Sequence, residues 1–183
     1  MVKKRDLVRR NMLKALPRNG TGAEIGVWEG HFSEEILEVT DPERLHLIDP
    51  WEYMPKFSNT GFGRKRNADR VPQMYNLVRE KFKDDARVRI HRGTSETVLS
   101  EMADESLDWV YIDGNHNAPF IDNDLDLARR KVRRGGVIAG DDYYWNKDDG
   151  APVKSAVDAM VARLGNGCNF RLIGQQYLIT LLA

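Results

Sequence analysis

The amino-acid sequence predicts a doubly wound α/β fold, with a Rossmann-like, mostly parallel sheet of seven strands and an antiparallel C-terminal hairpin strand. Three observations carry that expectation. Short apolar runs alternate with amphipathic helical stretches through most of the chain, the pattern of repeated βαβ units. The first two runs end in turns that carry chemistry: Gly26-Val27-Trp28-Glu29-Gly30 after the first and Asp49-Pro50 after the second. The last two runs, residues 170–173 and 177–182, are separated only by Gly174-Gln175-Gln176, a hairpin-length connection.

In chain order, Val8, Met12, Ala15 and Leu16 share one helical face that stops before Pro17, so residues 1–20 read as an N-terminal helical cover. Residues 23–27 form a strand containing Glu24. The glycine loop follows, and then a helix with Phe32, Ile36 and Val39 on one side. Residues 45–49 are a second strand, stopped by Pro50. Residues 52–70 have no period and hold the basic cluster Arg64, Lys65, Arg66 and Arg70, the composition of a lid or binding loop. Val71, Tyr75, Val78 and Phe82 mark a helix, residues 88–91 a third strand, and Gly93 to Glu96 a turn into a short helix. The next unit is a strand ending at Asp113, a helix carrying Ile121, Leu125, Ala128 and Val132, and a Gly-Gly turn into a strand that ends in Asp141 and Asp142. A last helix starts at Pro152, a favoured first helical position.

A chain of 183 residues, 41% hydrophobic, suits one domain spanning 1–183. Its 28 basic and 28 acidic residues cancel, so no global field draws it to nucleic acid or to an anionic membrane surface. The start, MVKKRDLVRR, has no apolar signal core and no run is long enough to span a bilayer, so the expected compartment is cytoplasmic. The single cysteine, Cys168, allows no internal disulfide and reads as structural.

Parallel strands emerge with their carboxyl ends on one edge, where open α/β sheets bind ligands. A glycine loop after the first strand and an acid ending the second suit an adenosine-containing cofactor: Gly26 and Gly30 let the backbone approach, and Asp49 accepts from ribose hydroxyls. The third glycine of the dinucleotide fingerprint is missing, which points from a pyrophosphate towards a smaller cofactor such as S-adenosylmethionine (SAM). The same glycines could simply make a tight β-to-α turn. Asp113, Asp141 and Asp142 would lie close together, and grouped carboxylates are commonly neutralised by an oxygen-liganded divalent cation. Helix capping is the alternative use for Asp113 and Asp142. Asp122, Asp124 and Asp126 read as the solvated side of their helix.

The segments AEIGVWEGHFSEEIL, LHLIDPW, GTSETVL, DWVYIDGNH and GGVIAGDDY, in this order, resemble the class I SAM-dependent methyltransferases, most closely the metal-dependent small-molecule branch with the macrolide and aminocoumarin sugar O-methyltransferases. The resemblance implies that Glu24 and the loop from Gly26 to Gly30 surround the methionine part of SAM, that Asp49 holds the ribose, and that Thr94, Ser95 and Glu96 lie near the adenine. It implies Asp113, Asp141 and Asp142 as ligands of a divalent cation such as Mg²⁺, with Asp113 also beside the cofactor and in the catalytic group. The acceptor would be a hydroxyl of a sugar or small metabolite, covered by residues 52–70, whose charges could either grip an anionic group or face solvent. Among Tyr53, Phe57, Phe62, Tyr143, Tyr144 and Trp145, some would stack on the acceptor. Where the sugar enzymes carry a second aspartate as base, this chain has Asn115, which cannot accept a proton; His116 is the expected substitute. A SAM-binding module without transferase activity is the competing reading, and a nucleotide-dependent oxidoreductase or nucleic-acid methyltransferase fits less well.

Overall fold

A computed structural model describes residues 4–148 and 150–182, with side chains from Leu7 onward. Residues 1–3 and 183, the ends of the expected 1–183 span, lie outside the described residues. The sheet has seven strands in the order β3-β2-β1-β4-β5-β7-β6. These are β1 (Thr21–Ile25), β2 (Arg44–Asp49), β3 (Val88–Arg92), β4 (Leu107–Ile112), β5 (Val132–Gly140), β6 (Cys168–Ile173) and β7 (Gln176–Leu181). β1 to β5 pair in parallel, and β7 runs antiparallel between β5 and β6. The expected class and the closing hairpin strand are both observed.

Alternation along the strands sends each face into its own core. On β4, Trp109 and Tyr111 pack with α1 (Lys4–Leu13), α2 (His31–Thr40) and α3 (Val71–Phe82), in a cluster that includes Met12, Ile36 and Met74. Val110 and Ile112 face the other way, towards α4 (Ser95–Glu101), α5 (Phe120–Lys131) and α6 (Pro152–Leu164), with Leu99, Ile121 and Val157. A period of two on the strands between helices of period 3.6 is the doubly wound solution. No helix among the described residues is long and apolar enough to cross a membrane.

Strand boundaries differ from expectation at β5, which starts at Val132, placed by the sequence on the preceding helix, and runs through Gly135-Gly136, and more informatively at β1. β1 ends at Ile25 rather than at Val27, because Gly26 takes φ +88 and turns the chain out of the sheet. A Cβ at Gly26 would lie 2.1 Å from the Asp113 carbonyl oxygen, so the β1 and β4 tips meet only because that side chain is absent. Residues 52–70, expected without regular structure, contain two single 3₁₀ turns, Pro55–Phe57 and Lys65–Asn67.

Candidate active site

The carboxyl ends of β1, β2 and β4, the start of α4 and the loop after β5 converge on a cavity of about 640 Å³, roofed by the segment after β2. Gly26, Asp49, Thr94, Ser95, Asp113, His116 and Asp142 all border it. Of the residues expected there from sequence, Glu24, Gly30, Glu96 and Asp141 do not.

Asp49 organises the glycine-loop side of the cavity. Its Oδ2 accepts from the amides of Val27 (3.0 Å) and Trp28 (3.1 Å), and its Oδ1 accepts from the amide of Trp51 (2.7 Å). Trp28 (φ 58) and Trp51 (φ 44) both adopt left-handed backbone, which is costly for bulky residues. The carboxylate holds both strained corners, and Trp51 Nε1 donates to the Trp28 carbonyl at 2.8 Å. Burial raises the Asp49 carboxyl, against three amide bonds that lower it. The sequence assigns Asp49 to the ribose. The structure shows it also as the staple of the glycine loop, with one lone-pair site left on Oδ1.

Glu24 lies beneath the cavity, 1% exposed, and accepts from Ser33 Oγ on α2. Burial pushes its carboxyl up to about 8, with the Ser33 bond opposing. Gly30 (φ 72) packs on Phe82 and starts α2. The two glycines therefore serve different ends: Gly26 the close approach of two strand tips, Gly30 the entry of a helix.

On the opposite side, Asp113 and Asp142 flank His116, whose Nε2 is 3.5 Å from Asp113 Oδ1 and 3.5 Å from Asp142 Oδ2. His116 is 8% exposed, sits edge-on to Trp145 at 5.6 Å, and its buried Nδ1 has no hydrogen-bond partner among the described residues. Burial alone would lower its pKa; the two carboxylates win and raise it to about 9. One ligand atom from each of Asp113, His116 and Asp142 falls within 4.8 Å of the others, a spread that one divalent cation could fill.

That set differs from the expected Asp113, Asp141 and Asp142. Asp141 is 1% exposed; its Oδ1 accepts from the Asp142 amide at 2.7 Å and from Gln176 Nε2 on β7, and its Oδ2 lies 3.5 Å from Arg9 Nε. Asp142, at φ 58, is thus aimed into the cavity by its neighbour. Asn115, where the resemblance to the sugar enzymes would put a base, accepts from the amide of Asn117 (3.2 Å) and from Asn117 Nδ2 (2.8 Å), a turn contact.

Two participants escaped sequence reasoning. Arg9, on α1, places Nη2 2.6 Å from Asp113 Oδ2 and its guanidinium 4.0 Å from the Phe32 ring centroid. Asp124 is 4% exposed, borders the cavity and accepts from Ser95 Oγ, so the solvated role expected for it is wrong. The helical spacing held the signal, since Asp124 falls three residues after Ile121 and four before Ala128, on the buried side of α5. Asp126 is exposed, as expected, and pairs with Arg163.

From residues 52–70, Lys56, Phe57, Phe62 and Arg64 border the cavity, and Asn59 Nδ2 donates to Asn117 Oδ1 at 2.9 Å. Arg70 instead pairs with Glu29. Of the candidate stacking aromatics, Phe57, Phe62 and Trp145 border the cavity; Tyr143 is in the core and Tyr144 is exposed.

This strand order, with a glycine turn, an acid staple and a cavity at the carboxyl edge, defines a nucleoside-cofactor α/β protein. Residues 23–143 match a methyltransferase-domain family, and the chain belongs to it. SAM-dependent methylation is accordingly its coarse function. No curated protein matches the chain. Among solved structures, it is similar to a protein from Corynebacterium glutamicum (TM-score 0.68, 19% identity, covering 100% of this chain and 83% of that one). It is also similar to a Streptococcus mutans protein in complex with SAH (0.64, 13%, 100% and 100%) and to the O-methyltransferase NovP (0.62, 20%, 98% and 78%). At these identities the likeness is one of fold.

Proposed function

We propose that the chain acts as a single-domain, SAM-dependent O-methyltransferase that methylates a hydroxyl of a sugar or small metabolite, with a divalent cation such as Mg²⁺ held by Asp113, His116 and Asp142. The observation that carries this reading is the convergence of those three side chains on a cavity whose other side is the Gly26 loop and Asp49. Methyl transfer is an in-line displacement, so its first requirement is alignment of acceptor oxygen, methyl group and sulfur. Gly26 gives the methionine part close approach to the β1 and β4 tips, Asp49 offers its remaining lone pair to the ribose, and Thr94 and Ser95 border the adenine end. Glu24 acts from below by setting α2, and Glu96 lies aside.

When bound, the cation would supply a Lewis acid that lowers the pKa of an acceptor hydroxyl, so that its proton can pass to water without the base that Asn115 lacks. His116 then serves as a ligand through Nε2 rather than as the base expected from sequence, because that atom is equidistant from both carboxylates. Phe57, Phe62 and Trp145 give the acceptor apolar walls, and Lys56 and Arg64 stand at the lid.

The test measures Mn²⁺ binding by calorimetry and SAH formation with SAM and a panel of hydroxyl acceptors, with and without EDTA. The reading expects one Mn²⁺ site, lost in Asp142→Asn, and turnover lost with EDTA. Wild-type turnover indifferent to EDTA and to Asp142→Asn would remove the cation from the proposal. SAH binding with no acceptor methylated would favour the second reading, a SAM-binding module without transferase activity; the turn contact that occupies Asn115 supports it.

A further inference from the structure

We propose that the acceptor is an anionic hydroxy compound, one that carries a carboxylate or phosphate group, and that Lys56 and Arg64 select it. The inference rests on the transferase reading above and names the substrate class of that same site. The charges that border the cavity are separated by sign and by element. Its acids, Asp49, Asp113, Asp124 and Asp142, come from strand ends, the loop after β5 and α5, whereas residues 52–70 bring Lys56 and Arg64 to it. Each of those acids already has a protein partner: Asp49 three amides, Asp113 Arg9, Asp124 Ser95 and Asp142 His116. Neither cation has a carboxylate within ion-pair distance among the described residues, although Arg70 of the same segment is taken by Glu29. Lys65 and Arg66, exposed and away from the cavity, are the ordinary solvated members of the cluster.

A track of aromatic rings joins the two ends. Phe120, at the start of α5 after the loop that carries Asp113 and His116, meets the Phe57 ring edge-on at 5.1 Å. Phe57 meets Phe62 at 5.9 Å, and Lys56 Nζ lies 5.0 Å from the Phe57 ring centroid. A ligand with its hydroxyl at Asp113, His116 and Asp142 therefore lays its body along these rings and brings its far end to the lid. A neutral far end leaves both cations to water. A carboxylate or phosphate there gains charge-assisted hydrogen bonds from Lys56 and Arg64, and the acids at the strand tips repel it, so charge also fixes which way round the acceptor enters.

The experiment titrates the SAH-saturated chain, with Mg²⁺ present, by calorimetry with matched pairs: protocatechuate and its methyl ester, galacturonate and its methyl ester, glycerol phosphate and glycerol. SAH formation from SAM is measured for the same compounds. Wild type is expected to bind the anionic member of at least one pair about 5- to 25-fold more tightly, the worth of two exposed ion pairs. The carboxylate and phosphate pairs distinguish the two anions. Lys56→Gln and Arg64→Gln each lower that ratio by about 2- to 5-fold, and Arg64→Glu lowers it further. Raising NaCl from about 0.05 to 0.5 M lowers it in wild type, because exposed charges are screened. A disordered lid would weaken both members of a pair alike, so a ratio that survives both Gln variants overturns the assignment to Lys56 and Arg64. Equal binding within every pair overturns the inference, and SAH formed from a neutral member then leaves the transferase reading intact. Anion-selective binding without SAH formation supports the anion site while overturning the transferase reading. Binding of none of the compounds overturns the acceptor site and this inference with it.

Discussion

Arg9 on the N-terminal helix places Nη2 2.6 Å from Asp113 Oδ2 at the end of β4, across 104 residues of chain. Its Nε faces Asp141 at 3.5 Å and its guanidinium lies over Phe32, so one side chain ties α1, β4, β5 and α2 at the carboxyl edge of the sheet. Removing the charge from a largely buried pair leaves carboxylates that have lost a cation. Arg9→Met is expected to cost about 2 kcal/mol, which for a chain of this size lowers Tm by roughly 4–8 °C. Arg9→Lys restores the charge without the planar fork and recovers part of that. Thermal melts of both variants test this, and a Met variant melting with wild type would show that the contact carries no stability.

Asp49→Asn is the sharper test of the glycine loop. The carboxylate accepts from three amides, and an Asn amide group presents a donor to at least one of them. The expected cost is about 1–3 kcal/mol, and the release of Trp28 and Trp51 from left-handed backbone should weaken SAH binding about tenfold or more. Calorimetry with SAH beside a thermal melt checks both. Lost stability with wild-type SAH affinity would mean that the staple and the binding surface are separate.

How much of this was legible before any coordinates depended on the range of the interaction. The strands, their acid tips and the glycine turn are local patterns, and β1 to β5 followed from them. Two side chains at the cavity were missed for different reasons. Asp124 was readable: its spacing from Ile121 and Ala128 puts it on the buried side of α5, and residue type outweighed position in assigning it to solvent. Arg9 was not, because nothing in a basic helix says which turn will meet a strand end far along the chain. That Asp141 turns from Asp113 and Asp142 likewise depends on Gln176, which β7 brings in from the C-terminal hairpin.

Stability should fall as pH rises from about 5 to 8, and Glu24 should be a main cause. Its folded carboxyl is held up to about 8 against an ordinary value of 4.5. Between those values the folded state binds a proton that the unfolded state has released, so the contribution is full below pH 4.5 and is lost as pH climbs through 8. Asp124, held up to about 7, acts in the same direction. Glu24→Gln keeps an acceptor for Ser33 and removes the titration. The difference in Tm between variant and wild type, followed from pH 5 to 8.5, should move in the variant's favour as pH rises. A constant difference would place the Glu24 titration outside this window.

The lid can be tested apart from the sheet through Gly63. A Cβ there would lie 1.9 Å from the Phe57 carbonyl oxygen and 2.8 Å from that of Met54, both backbone atoms that cannot swing away. The segment is folded on itself around this point: Met54 N donates to the Phe62 carbonyl at 3.1 Å, and Thr60 Oγ1 to the Phe57 carbonyl at 2.7 Å. Gly63→Ala must therefore open the turn that sets Phe57 against Phe120, whose ring centroids are 5.1 Å apart over the cavity. The two cores on either side of the sheet contain only Phe62 from this segment, and that at a margin, so the global melt should drop by no more than about 1 kcal/mol equivalent. Trypsin should cut faster at Lys56, Arg64, Lys65 and Arg66, and SAH affinity should fall by roughly tenfold as the cavity loses its roof. Faster cleavage with unchanged SAH affinity would assign the lid to the acceptor alone, and wild-type behaviour in both assays would show that residues 52–70 do not close the site.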